Sequence, residues 1–451
     1  MAAGATDNPV FDVVGVGFGP SNLAIAIAMK EFNEQQRRGR PLRARFVERQ
    51  PRFGWHRGML IQGATMQVSY LKDLATLRNP SSPFSFLSYL HSRGRLADFI
   101  NYASSFPTRI EFHDYLEWAA DRFASQVDYG ADVVEIAPSP PSWNTAPSGS
   151  FDVVSVRPDG GIERIQARNV VLATGLRPHV PDGVRLSERV WHNRDLVPRV
   201  ERLGSGRPRR FVVVGAGQSA AETTDYLRRS FPAAQVCAVF ARYGYSPADD
   251  SAFANRVFDP GAVDDFYAAP DTVKQLIRTY HSNTNYSVVD PELIEQLYRA
   301  HYHEKIAGTE LLRFLKLSRV AEIRERVDGV DVTVESLVDG GREVLAADVV
   351  VYATGYRSSD PTDLLGDLAT DCLRDEAGRL RIGRDYRIHT TEDVEGGLYL
   401  VGATEHTHGI SSTLLSNVAV RAGEIVQAIV ARADDRGVAV ATPARQPAAG
   451  S

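Results

Sequence analysis

The sequence predicts an α/β fold in which two units of mostly parallel sheet, with helices on their faces, accompany a small helical region. Three observations predict it. Apolar runs of strand length alternate with helical patterns along most of the chain. Two glycine-rich turns, one at Gly15, Gly17 and Gly19 and one at Gly215 and Gly217, each follow such a run and open a helix. Two further runs, Asn169–Gly175 and Asp348–Gly355, both end in Ala-Thr-Gly and read as crossings between the units.

Taken in order, Val10–Val16 reads as a buried strand, Ser21–Phe32 as the helix it feeds and Arg43–Glu48 as the next strand. Helical patterns at Glu111–Ser125, Asp271–Ser282 and Asp290–Ile306 supply a helical layer, and Ser139–Gly149 a hairpin-type loop. A second unit starts with the strand Phe211–Val214, a helix running to Arg229 and the strand Gln235–Phe240. Pro198–Arg210 is polar and rich in Pro, Gly and Arg, as a linker would be. The expected division is a first unit over 9–197, a second over 208–345 with a helical insertion at about 249–310, and a return to the first over 346–436; 1–8 and 437–451 are expected to be disordered.

A formal net charge of -5 over 451 residues gives no electrostatic case for nucleic acid or anionic lipid. No apolar run reaches membrane-spanning length and the N-terminus lacks signal-peptide regions, so a cytoplasmic protein without a membrane partner is expected. The two cysteines, Cys237 and Cys372, cannot make a disulfide framework, a CxxC redox pair or a zinc site. No metal is expected.

Glycine turns between strand and helix let a backbone approach a pyrophosphate, while the helix N-terminus offers N–H groups and a positive dipole end. Gly15, Gly17, Gly19, Pro20, Ser21 and Asn22 form the first such turn, with Pro20 at the third glycine position of the usual pattern. Proline is tolerated there because the first helical turn has no use for its N–H. Glu48, ending the second strand, stands where a carboxylate accepts from a ribose diol. The second turn comprises Gly215, Gly217, Gln218 and Ser219, and its partner strand leads to Arg242 rather than to an acid. Arginine there pairs with a 2′-phosphate and so favours NADPH over NADH. Together these describe two Rossmann-like dinucleotide-binding domains, an FAD domain interrupted by a nicotinamide domain. Disulfide reductases on this plan need a cysteine pair; monooxygenases need only flavin, NADPH, oxygen and a nucleophile. The cysteine count selects the second.

Five stretches resemble the N-hydroxylating flavin monooxygenases, ornithine N5-monooxygenases above all: Gly15–Asn22, Met66–Leu77, Asp249–Asn255, Asn283–Val289 and His408–Ser416. The segment Asp348–Tyr356 with Pro361 matches that family's ATGY motif. Baeyer–Villiger and general flavin-containing monooxygenases share the glycine turns, but their FxGxxxH signature is missing around Trp191 and His192. The resemblance implies that Lys72 pairs with a substrate carboxylate, that Gln67 lies close to the flavin, and that Asn255 and Ser416 hold the α-amino and carboxylate groups. It implies that Asn285 touches both the nicotinamide cofactor and the substrate. It also places the backbone of Thr413, Leu414 and Leu415 against the isoalloxazine ring and the backbone of Val133 against adenine. Trp55 and His56, in the loop after Glu48, are expected at a flavin-side position. Arg256 follows Asn255 where many family members carry Glu.

The implied reaction passes a hydride from NADPH to FAD, adds oxygen as a C4a-hydroperoxide and transfers one oxygen atom to the substrate's terminal amine. L-ornithine leads as substrate for siderophore or related biosynthesis. L-lysine, a diamine, or a different class altogether (an NADPH oxidase or redox sensor) are the alternatives, and a homotetramer is the implied assembly.

Overall fold

The strand Phe11–Val16 lies between Ala44–Glu48 and Ile162–Leu172 and runs parallel to both, as a strand buried on both faces must in a doubly wound sheet. The structure, a computed structural model, describes residues 9–36, 40–140, 149–204 and 208–435. The segments 1–8 and 437–451, expected to be disordered, and most of the loop Ser139–Gly149 lie outside the described residues.

Val127–Tyr129 extends the first sheet beyond Ala44–Glu48. Ile162–Leu172 is long enough to serve two neighbours on its other side. Its first half pairs antiparallel with Phe151–Val156, which in turn pairs with Asp132–Pro138. Its last residues pair parallel with Gly397–Leu400. The helix Pro20–Gln35 is buried almost continuously from Asn22 to Met29, because the sheet covers one side and the helix Val418–Asp435 packs along another.

The second sheet is wholly parallel, in the order Leu312–Leu315, Gln235–Val239, Arg210–Val214, Val349–Tyr352, Val190–His192. This corrects the expected division of the chain. Val190–His192 and Val349–Tyr352, assigned above to the first unit, belong to the second sheet. The reason is packing. Val349 and Val351 point into one apolar cluster of that unit, Val350 and Tyr352 into the other. Strand patterns show that a run is buried on both faces, not in which sheet.

Two more features depart from expectation. Pro198–Arg210 is not a simple linker, since Leu196–Leu203 is a helix. Leu196 and Val200, four residues apart, bury one face, and Pro198 falls in the first turn where its missing N–H has no intrahelical partner. A third sheet of three antiparallel strands, Ser318–Glu325, Val330–Ser336 and Arg342–Ala347, was not anticipated. Asp328-Gly329 and Asp339-Gly340 between alternating apolar runs are its hairpin signals.

The two Ala-Thr-Gly segments do cross between the sheets. Leu176–Pro178 and Tyr356–Ser358, which follow them directly, pair with each other as an antiparallel ribbon. His179 N–H donates to the Gly355 carbonyl at 2.9 Å, and the His192 ring contacts the same oxygen at 3.1 Å. No helix among the described residues is long and apolar enough to cross a membrane.

One buried ion pair joins the units. Arg109, the first residue of the helix Arg109–Ala120, donates to both carboxylate oxygens of Glu222 on the helix Gln218–Ser230, at 2.8 and 2.7 Å. Arg109 also donates to the Met59 carbonyl, so little of its donor capacity is wasted. Removing one partner of such a pair leaves a buried charge without compensation. Arg109→Met should therefore lower denaturant stability by about 3–5 kcal/mol, and adding Glu222→Leu should recover most of it. A single variant as stable as the parent would show that the pair contributes nothing.

Candidate active site

Both glycine turns sit at the C-terminal ends of central strands and press against the matching Ala-Thr-Gly segment. Gly17 has φ +83°, and a Cβ there would lie 2.6 Å from the Ala173 carbonyl oxygen. Gly215 has φ +143°, and a Cβ would lie 2.3 Å from the Ala353 carbonyl oxygen. Only glycine fits either place. Gly19 differs: its φ is −84° and nothing lies within 4 Å of a Cβ built on it. No protein contact requires glycine there, which is what a cradle for a cofactor's pyrophosphate would show.

Glu48 is buried rather than solvated at the strand end, 6% exposed. Its carboxylate accepts from the backbone N–H of Phe18 at 2.7 Å and of Gln50 at 2.8 Å, which ties the glycine turn to the next strand. Asn22 closes the same turn from inside through Nδ2, bonded to the Val16 and Gly17 carbonyls, while its Oδ1 is buried without a partner. Pro20 and Ser21 open the helix, with Gly19 as N-cap and no acid in the first turn to compete with an anion. Val133 is buried in the strand Asp132–Pro138, beside the irregular pairing between Val133 and Glu135.

At the second turn, Gln218 is held at both ends. Its Nε2 donates to Glu222 at 3.0 Å and its Oε1 accepts from Asp290 N–H at 2.8 Å. Ser219 follows in the same first turn. Arg242, beyond the end of Gln235–Val239, is exposed and donates to the Ser287 carbonyl at 2.8 Å. Ser287, in a left-handed conformation with φ 55°, lies over Gly217. The turn Ser282–Asn285 precedes it, which brings the backbone of Asn285 close to the second glycine turn.

The residues expected on the substrate side come from four separate segments. Lys72 is half-buried, with Nζ 5.7 Å from the centre of the Phe258 ring. Loss of water around it lowers its pKa, and Asp259 opposes that shift. Phe258 belongs to the short turn Ala254–Phe258, which carries Asn255, and Asn255 Nδ2 donates to the Asp250 carbonyl at 2.7 Å. That turn packs against Ile410–Thr413, and the chain continues through half-buried Leu414 and Leu415 to buried Ser416. Asp249 N–H donates to the Asn283 carbonyl at 3.1 Å, so the Asn255 loop also adjoins the Asn285 turn. The Lys72 loop, the turn that carries Asn255, the Ile410–Ser416 stretch and the Ser282–Asn285 turn are thus linked as neighbours through the Asn255 segment. Gln67 is exposed, on the loop leading to Lys72.

Trp55 and His56 stack edge to face at 4.5 Å, and His56 lies 6.1 Å from the Tyr356 ring of the crossing ribbon. His56 is exposed at the surface, yet loss of water around its ring, with repulsion from Arg109, pushes its pKa down to about 4. It is neutral at physiological pH.

Residues outside the sequence-derived set hold these loops. Asp73, next to Lys72 and buried, accepts from Ala75, Thr76 and Phe86 N–H and from the Thr76 hydroxyl, which fixes the lysine-bearing loop. Its position inside the Met66–Leu77 motif was the available signal. Arg421, from the helix Val418–Asp435, donates into the Ser411–Leu414 backbone. His408 is buried, stacked on Tyr386 at 4.1 Å and bonded to the Arg384 carbonyl.

The chain's residues 9–358 match the family model described as L-lysine 6-monooxygenase/L-ornithine 5-monooxygenase. The chain belongs to this family. An L-ornithine N(5)-monooxygenase of Pseudomonas aeruginosa is 37% identical over 92% of this chain and 93% of its own. One from Burkholderia cepacia is 40% identical over 89% and 90%. Among solved structures, an ornithine N-hydroxylase of Kutzneria sp. 744, seen with reduced FAD, NADP+ and L-ornithine, superposes with TM-score 0.89 at 47% identity, covering 94% of this chain and 100% of that one. As a member of this family, the protein is a flavin-dependent N-hydroxylating monooxygenase.

Burial lowers the His408 pKa to about 3. The unfolded chain takes up its proton near the ordinary value of 6.5, before the folded one does, so folding stability is lost as pH falls from 6.5 towards about 3. The slope from His408 reaches about 1.4 kcal/mol per pH unit. His408→Asn should flatten the acid limb of a stability–pH curve; an identical limb would place the charge uptake elsewhere.

Proposed function

We propose that the protein is an FAD- and NADPH-dependent monooxygenase that hydroxylates the side-chain amine of L-ornithine to N5-hydroxy-L-ornithine, for siderophore or related secondary-metabolite biosynthesis. The observation that supports this reading is the approach of Lys72 to Phe258 in the turn that carries Asn255, with that turn packed against Ile410–Thr413 and its loop bonded to Asn283.

In this reading Gly15, Gly17, Gly19, Pro20, Ser21, Asn22 and Glu48 hold FAD, with Val133 at its adenine end. Trp55, His56, Gln67 and Thr413–Leu415 lie at its ring end. Gly215, Gly217, Gln218, Ser219 and Arg242 hold NADPH. Bound there, the two cofactors supply the reducing electrons and activate O2. The residues do the rest. Lys72 offers an ammonium to the α-carboxylate, a charge-assisted contact strengthened by the water already lost around it. Asn255 and Ser416 fix the α-amino and carboxylate groups, and Asn285 bridges cofactor and substrate. The side-chain amine is then aimed away from Lys72 towards the flavin side. It must arrive neutral, since an ammonium with a pKa near ~10.4 has no lone pair to give.

The ornithine enzymes at 37% and 40% identity and the ornithine N-hydroxylase at 47% support ornithine over lysine. The family model itself covers L-lysine 6-monooxygenases as well as the ornithine enzymes. One methylene is worth only about 1–3 kcal/mol in a fitted pocket, so substrate comparison is the test. A cytoplasmic homo-oligomer, a tetramer in the fullest form, completes the proposal.

Given NADPH, oxygen and each amine in turn, the protein should form hydroxylamine with ornithine at least about tenfold more efficiently than with lysine or putrescine. NADPH consumption that yields only hydrogen peroxide with every amine would overturn the reading. Lys72→Ala should raise the ornithine KM about tenfold or more while leaving flavin reduction by NADPH intact. Arg242→Ala should cut the preference for NADPH over NADH by about tenfold; an unchanged ratio would remove Arg242 from the 2′-phosphate site.

A further inference from the structure

Arg421 lies in the first turn of Val418–Asp435, only 3% exposed, and its guanidinium reaches back across the preceding loop. Nη1 donates to the Ser412 carbonyl, and Nη2 donates to the carbonyls of Leu414 at 2.9 Å and Ser411 at 3.4 Å. Asn417 Nδ2 adds a bond to the Ser411 hydroxyl at 3.2 Å. Three carbonyls of one short stretch are therefore turned towards this helix. Glu424, one turn on, is held by Arg384 at 3.0 and 2.8 Å rather than by Arg421. Among the described residues the Arg421 guanidinium is thus hydrogen-bonded to carbonyls and to no carboxylate, and Glu424 acts on it only through space. Arg421 also lines a small gap with Ser21 and Ile25 of the first glycine helix. It stands behind the ring-side stretch and beside the helix that opens from the pyrophosphate turn.

Burying a cation is costly, and an apolar side chain of similar reach would fill the same volume at lower cost. Packing alone does not account for arginine here. A fixed positive charge behind a flavin favours the form that carries more negative charge, the reduced ring, and does so without reorganisation. We propose that Arg421 is a positioning residue for FAD, turning the Ser411, Ser412 and Leu414 carbonyls away from the ring and placing a buried positive charge behind it. The inference rests on the reading that Thr413–Leu415 meets the isoalloxazine.

The test uses the full-length holoenzyme and two substitutions. Arg421→Lys keeps the charge but not the fork that spans three carbonyls; Arg421→Met keeps the reach but not the charge. FAD affinity of the stripped protein should fall about tenfold or more in both. The midpoint potential of bound flavin should become more negative in Arg421→Met and stay near the parent value in Arg421→Lys. Parent-like affinity and potential in Arg421→Met would overturn the proposal. If that variant does not fold, unchanged FAD affinity in Arg421→Lys would overturn it alone. Leu415→Trp, made with Arg421 intact, tests the underlying placement through quenching of FAD fluorescence. Absent quenching would overturn the placement itself, whereas quenching with an unmoved potential in the Arg421 variants would overturn only the role of Arg421.

Discussion

Two backbone carbonyls, those of Ala173 and Ala353, constrain everything built around them. Each lies so close to a glycine of a strand-to-helix turn, Gly17 and Gly215 respectively, that no Cβ fits between. That approach packs the end of one central strand against the end of the next and leaves both turns open at the C-terminal edge of a sheet, where doubly wound folds bind nucleotides. The short strands that follow these carbonyls then pair across the units, Leu176–Pro178 with Tyr356–Ser358. The same few residues close the two turns and join the two sheets that carry them.

Around this frame the cleft is made from loops that have no regular partner of their own. Their geometry comes from buried polar groups with several bonds each. Asp73 fixes the loop of Lys72, Gln218 ties the second turn to Asp290, and Arg421 holds the Ser411–Leu414 backbone. Such groups cost stability when any bond is lost and are inexpensive only when all are made. The Arg109–Glu222 pair works at a larger scale, linking the helix of one unit to the glycine helix of the other.

How much of this was legible depended on whether the signal was local. The glycine turns, their helices and the strand Ala44–Glu48 announce themselves by spacing, because turn, strand and cap are set by neighbours in sequence. Lys72, Asn255 and Ser416 carry no physical signal of their own; only the motifs around them gave them roles. Sheet membership of Val190–His192 and Val349–Tyr352 was illegible because an apolar run looks alike in either sheet. The helix Leu196–Leu203 was hidden by Pro198, which belongs as well in a first helical turn as in a linker. Arg421 and Glu222 read as ordinary charged residues until the fold buried them.

The central claim is that the first glycine turn is shaped for a ligand at Gly19 and by the protein itself at Gly17. Gly19→Val separates the two, because its backbone is extended and no protein atom lies within 4 Å of the Cβ it adds. Stripped of cofactor, that variant should melt at the parent's temperature and still bind NADP+, yet fail to bind FAD. FAD binding at the parent's affinity would contradict the assignment of the first turn.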